Sequence, residues 1–141
     1  MKPTLNNIKL EIDRFIDSNK SFFNQIDFVI GVSRGGLIPA VLVSTKLNKP
    51  LIAAYINDKD EIFFDRSEWI ENKKVLIVDD IVRSGKTMHL LQSYINEHSK
   101  PKTVLIYTPY AVTSMRDHNY EIIVSTTEVK DNVEFPWEYD K

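Results

Sequence analysis

The thirteen residues from Val75 to Thr87, VLIVDDIVRSGKT, constrain the fold more than any other part of the chain. An apolar run rich in β-branched residues, with no polar alternation, belongs in a strand buried on both faces. It ends abruptly at two carboxylates, Asp79 and Asp80. Past Gly85 the chain enters GKTMHLLQSYINEH, where Met88, Leu91 and Ile95 recur at helical spacing. Strand, turn and helix together make half of a βαβ unit, and a strand buried on both faces needs neighbours on either side.

The rest of the sequence supplies those neighbours. IDFVIGV, PLIAAYI, KTVLIYT and YEIIVST read as further strands. LIPAVLVSTKLN has helical period, with Pro39 near its start, where a helix tolerates proline. Leu5, Ile8, Ile12, Phe15 and Ile16 predict an amphipathic N-terminal helix with Thr4 as its N-cap. NDKDEIFFDRSEWIENK is polar with isolated aromatics and predicts a mobile loop or a loose hairpin. EVKDNVEFPWEYDK is an aperiodic tail rich in aromatics. Strands alternating with helices predict an α/β domain with a parallel sheet. With 141 residues and no repeat or linker, one domain over 1–141 is expected.

Composition narrows the function classes. A net charge of −2 lacks the basic footprint of a nucleic-acid binder. There is no cysteine, which removes disulfides, thiolate metal sites and thiol nucleophiles, and which fits a cytoplasmic location. The N-terminal stretch has no apolar core of the signal-peptide kind, and no apolar run is long enough to span a membrane.

SGKT has the look of a phosphate-binding turn, yet two acids precede it. A Walker A loop requires glycine at the position that Asp80 occupies, so that pattern fails. A helix cap accounts for one aspartate but not for two at the end of a buried strand. A sugar phosphate satisfies both halves. Paired carboxylates accept hydrogen bonds from a vicinal diol. One ribose length further on, the amides of a helix start bind the phosphate, assisted by roughly half a unit of positive dipole charge. Asp79 and Asp80 are therefore assigned to the ribose, and Arg83, Ser84, Gly85, Lys86 and Thr87 to its 5′-phosphate. Ser33, Arg34, Gly35 and Gly36 follow an earlier strand, so they open at the same sheet edge with amide donors and a guanidinium suited to a second anion.

The stretch VLIVDDIVRSGKT resembles the phosphoribosyl pyrophosphate signature of the type I phosphoribosyltransferases. GVSRGGLIPA resembles that family's pyrophosphate loop, and VEFPWE resembles the purine-binding segment of its xanthine-guanine members. The resemblance covers roughly Phe28 to Glu138. It implies the family's parallel-sheet fold, with a core over about 25–125 and a small C-terminal hood over 126–141. It implies transfer of a phosphoribosyl group from phosphoribosyl pyrophosphate to a purine base, as in purine salvage. It further implies Mg2+ held through Asp79 and Asp80, a cis peptide between Ser33 and Arg34, base contacts from Phe135 and Trp137, and a homodimer or homotetramer. The central loop, with Tyr55, Asp58, Asp60, Glu61 and Arg66, would be the lid. His89, His98 and His118 lack metal-ligand spacing and are assigned to structure or surface.

Two positions depart from the family pattern. Arg83 stands where oxopurine enzymes usually carry an aspartate that accepts a proton from the base, and arginine cannot do so. Thr108 or Tyr110 stands where they carry a lysine for the purine oxo group. The expected function is thus a purine-type transferase with an altered base half. The alternative is a non-catalytic protein of the same fold that binds a nucleotide or phosphoribosyl pyrophosphate and regulates something else.

Overall fold

The computed structural model describes residues 1–64, 67–112 and 124–138. Helices α1 (Leu5–Ser18) and α2 (Lys20–Phe23) lead into strand β1 (Phe28–Ser33). Helix α3 (Leu37–Leu47) returns the chain to β2 (Leu51–Ile56), which turns back into β3 (Ile62–Phe63). A 3₁₀ turn at Ser67–Ile70 precedes β4 (Lys74–Val78) and β5 (Ile81–Val82). Helix α4 (Lys86–Ser99) then leads to β6 (Thr103–Val112) and β7 (Val124–Val129).

Among the described residues these strands form one seven-stranded sheet, ordered β3-β2-β1-β4-β6, with β5 and β7 also on β6. Every pairing is parallel except that of β2 with β3. The expected parallel sheet is therefore present, with one antiparallel pair added at its β3 edge. Helices cover both faces, as an all-apolar strand requires. On β4, Leu76 and Val78 face a core with Ile8, Ile12 and Ile16 of α1 and Val43 of α3. Val75 and Ile77 face the other core, with Met88, Leu91 and Ile95 of α4. Each fully buried aliphatic side chain contributes roughly 1.5–3 kcal/mol relative to exposure, so both faces stabilise the same strand. Thr4 caps α1 as expected, its side chain accepting from Asn7 N at 3.0 Å.

The central stretch forms a short hairpin, one of the two forms expected of it, with Tyr55 opposite Phe63. Three features of the chain path differ from the pattern read in the sequence. Strand β6 runs to Val112, beyond the expected end at Thr108, and carries Pro109 within it. Strand β5 continues β4 in the same register on β6, Val78 facing Tyr107 and Ile81 facing Tyr110. Strand β7 stays in the sheet to Val129, so the chain leaves it four residues later than the expected hood boundary at 126. From Lys130 the tail folds back, burying Val133 and Phe135 in the core on the α1 side. Arg66 and His118 lie outside the described residues.

Candidate functional site

The line of β4 and β5 breaks at Asp79 and Asp80. Continuing the register sets Thr108 and Pro109 opposite the two acids. Proline has no N–H to give to a ladder, so the partner strand cannot complete the pairing there. The break releases two adjacent residues from the sheet at the carboxyl end of a central strand, where ligands of open parallel sheets sit.

Asp79 and Asp80 are half-buried. The Asp80 amide donates to Asp79 Oδ1 at 2.8 Å. Burial first, then the charge of Asp80, hold the Asp79 carboxyl well above its ordinary range, while Arg83 pulls it down. Burial also raises Asp80, against hydrogen bonds that include those from the Ile81 amide and the Trp137 indole. Two like charges drawn together out of water gain from a cation or from hydrogen-bond donors, and a diol or a divalent metal supplies one or the other.

The turn after β1 presses directly on these acids. A Cβ on Gly35 would stand 2.8 Å from Asp80 Cγ. One on Gly36 would stand 2.7 Å from the carbonyl oxygens of Val32 and Val78. Glycine is thus required at position 36, where backbone stands in the way, while at position 35 a side chain would displace the Asp80 carboxylate. The Ser33–Arg34 peptide is cis. The turn closes through Gly36 N to Val32 O at 2.9 Å and Leu37 N to Arg34 O at 3.1 Å.

On the other side, residues 79–88 line a cavity of about 280 Å³. Gly85, at φ 91°, makes the left-handed turn that opens α4, a conformation side chains disfavour. The start of α4, with Ser84, Lys86 and Thr87, therefore faces the same cavity as the two acids. The ribose and 5′-phosphate residues read from the sequence come together here, and Ser33, Arg34, Gly35 and Gly36 abut them through Gly35 and Gly36.

Three contacts at this site join segments far apart in sequence. Arg83 Nη2 donates to Asn132 Oδ1, tying the phosphate turn to the tail. Lys86 Nζ meets Asp60 Oδ2 at 3.0 Å, tying the same turn to the β2–β3 hairpin. Trp137 lies beside Asp80. Asn132 and the pairing role of Asp60 carried no sequence signal, because each partner lies tens of residues away.

The base half is less open than the sequence reading expects. Phe135 is buried at 4% exposure, edge-on to Tyr110 at 5.6 Å, and Trp137 stacks on it at 4.8 Å. Phe135 is therefore the support of the indole and not a surface of the cavity. Tyr110 points to α1, its hydroxyl donating to Glu11 at 2.9 Å, so it does not stand in for a lysine at the site. Thr108 is fully buried and its hydroxyl has no partner. His98 stacks on Tyr94 at 4.1 Å. No cluster of three or more metal-ligating side chains occurs among the described residues. Asp79 and Asp80 fit a hard dication that takes its other oxygens from substrate and water, the usual coordination of magnesium.

No helix among the described residues is long and apolar enough to cross a membrane. Residues 5–141 match the family described as phosphoribosyl transferase domain. The chain is 29% identical over 119 residues to the xanthine-guanine phosphoribosyltransferase of Idiomarina loihiensis, covering 78% of this chain and 70% of that protein. It is 31% identical over 88 residues to the transcriptional regulator GfcR of Thermoplasma acidophilum, spanning 60% of this chain and only 44% of the regulator. The crystal structure of a purine phosphoribosyltransferase from Pyrococcus horikoshii superposes with a TM-score of 0.85 at 25% identity, covering 100% of this chain and 95% of that one. A break in a central strand that carries two acids, with a glycine-bearing turn on one side and a helix start on the other, accompanies these likenesses: the chain belongs to the phosphoribosyl transferase domain family.

Proposed function

We propose that this protein transfers the 5-phosphoribosyl group of phosphoribosyl pyrophosphate to a purine base, releasing pyrophosphate and forming a nucleoside monophosphate. The observation that carries the reading is the adjacency of three parts. Two half-buried acids occupy a strand break, glycines of the Ser33–Gly36 turn abut them, and the start of α4 shares their cavity. Asp79 and Asp80 take the ribose diol. Ser84, Gly85, Lys86 and Thr87 hold the 5′-phosphate. Arg34 and the amides of its turn face the pyrophosphate. Names of similar proteins point to the same chemistry.

In this reading a base nitrogen forms a bond to the ribose C1 as the C1–oxygen bond breaks, and the electron pair leaves with pyrophosphate. The centre passes through an oxocarbenium-like state. The chain's residues fix the sugar at two points and so orient C1 toward the base. Arg34 stabilises charge that grows on the leaving group. Magnesium, held through Asp79 and Asp80, would supply further charge neutralisation on the pyrophosphate. The β2–β3 hairpin, paired to Lys86 through Asp60, is the segment that would close over the site against water.

A second reading is favoured by one residue. Arg83 is engaged with Asn132 and cannot accept a proton from a base. A protein of this fold that binds phosphoribosyl pyrophosphate or a nucleotide without turnover, and reports it to a partner, is compatible with that substitution and with the likeness to GfcR. Incubation with phosphoribosyl pyrophosphate, magnesium and adenine, guanine, hypoxanthine or xanthine separates the two. Pyrophosphate release that depends on one base supports the transferase. Saturable binding with no base converted supports the regulator.

A further inference from the structure

Arg83 is an exposed cation that lines the cavity shared by the two acids and the start of α4. Its charge reaches Asp79, whose carboxyl it makes more acidic. Its Nη2 donates to Asn132 Oδ1, a neutral acceptor, so the hydrogen bond aims the guanidinium without cancelling its charge. The other cations named at the site are placed differently. Lys86 is paired to Asp60 at 3.0 Å, and Arg34 belongs to the turn after β1. The tail meets the cavity twice, at Arg83 through Asn132 and at Asp80 through Trp137. Arg83 therefore stands where the tail closes on the sugar site. Neither Thr108, fully buried, nor Tyr110, turned to Glu11, offers a group that could meet a base there.

A guanidinium carries five N–H donors in a planar fork and accepts nothing. With one donor on Asn132, the others remain for a ligand. Guanine, hypoxanthine and xanthine present two adjacent acceptors, O6 and N7, which such a fork meets with paired donors. Adenine sets an amino donor beside N7, so donor would face donor. We propose that Arg83, positioned by Asn132, reads the O6–N7 edge of a 6-oxopurine and selects that edge over the one adenine presents. The inference rests on the transferase site proposed above. It gives the departure at position 83 a role. N9 bonds to the ribose C1 while the electron pair of the C1–oxygen bond leaves with pyrophosphate. The N7 proton passes to water, and the lone pair it leaves on N7 accepts from Arg83.

A nucleoside monophosphate carries the finished edge, with N7 unprotonated, so binding tests the inference without turnover. Calorimetric titrations compare inosine, guanosine and adenosine monophosphates on the parent protein, Arg83→Leu, Asn132→Leu and Asn132→Asp. The parent should bind the inosine nucleotide about tenfold or more tighter than the adenosine nucleotide. Arg83→Leu should bring that ratio to within about twofold. The ratio is the readout because any contact with the 5′-phosphate is common to both ligands and cancels. Asn132→Leu should lower the ratio too, whereas Asn132→Asp keeps an acceptor for the fork and should preserve it. A purely structural role for Asn132 would weaken both nucleotides alike. The 7-deaza analogue of guanosine monophosphate lacks the N7 acceptor and should bind the parent about fivefold more weakly than guanosine monophosphate, the effect of one net hydrogen bond. A parent ratio near one, or a ratio that survives Arg83→Leu, overturns the inference. If ribose 5-phosphate binds and the ratios fail, this inference alone fails. If ribose 5-phosphate does not bind, the site reading fails and takes the inference with it.

Discussion

Asp79 is held in the folded chain with its carboxyl well above the ordinary value of 3.8, chiefly by burial. The sign of the consequence is fixed. A raised folded-state value contributes stability that is fully present below 3.8 and lost as pH rises through the raised value. The ligand-free protein therefore loses stability as pH rises through that raised value. Asp79→Asn should remove that loss. Above that value it is expected to melt higher than the parent protein, while binding phosphoribosyl pyrophosphate more weakly. Thermal melts at pH 4 and pH 7 check this, since the gain should be smaller at the lower pH. Arg83 allows a second test. If a missing proton acceptor limits turnover, Arg83→Asp should raise kcat with hypoxanthine by tenfold or more, within the range general bases supply. A steady-state assay reads this directly, and an unchanged kcat would show that proton removal is not limiting.

At the scale of elements, the phosphate turn is anchored on two sides, to the β2–β3 hairpin through Lys86 and Asp60 and to the tail through Arg83 and Asn132. The Lys86–Asp60 pair is about half exposed, and such pairs contribute 1 kcal/mol or less. A 5′-phosphate competes with Asp60 for the same ammonium. Asp60→Asn should accordingly tighten phosphate binding by about two- to fivefold, a difference resolved by titration with ribose 5-phosphate. The core elements behave differently. Ile12 is fully buried between α1 and the sheet, and Ile12→Ala should cost about 2–5 kcal/mol in chemical denaturation. The same elements show why much of the fold was legible. Val75, Leu76, Ile77 and Val78 form a strand apolar on both faces, and helical spacing at Ile8, Ile12 and Ile16 required a sheet to cover. Strand β5 was not legible, because two residues carry no period. The extension of β6 was hidden by Pro109, which reads as a strand end in isolation.

At the scale of the whole molecule, the site is assembled from the carboxyl ends of β1 and β4, the start of α4, one hairpin and the tail. The acids and the turn at Gly85 were legible because both lie in one thirteen-residue stretch, where an apolar strand, two carboxylates and a glycine turn follow one another. The glycines at 35 and 36 were legible as a turn, but their contact with Asp80 and Val78 appears only once β1 and β4 pair. Trp137 was read from the sequence only as an aromatic to stack on a base; its place beside Asp80 was not legible, since that contact joins residues far apart in the chain. The base half followed least well, because Phe135 and Tyr110 are spent on packing that connects the tail to α1.

The most direct measurement is a crystal structure with phosphoribosyl pyrophosphate and magnesium. The ribose hydroxyls are expected on Asp79 and Asp80, with the 5′-phosphorus at the Ser84–Thr87 turn. Density for the sugar elsewhere, or a phosphate turn free of anion in the liganded crystal, would contradict the account.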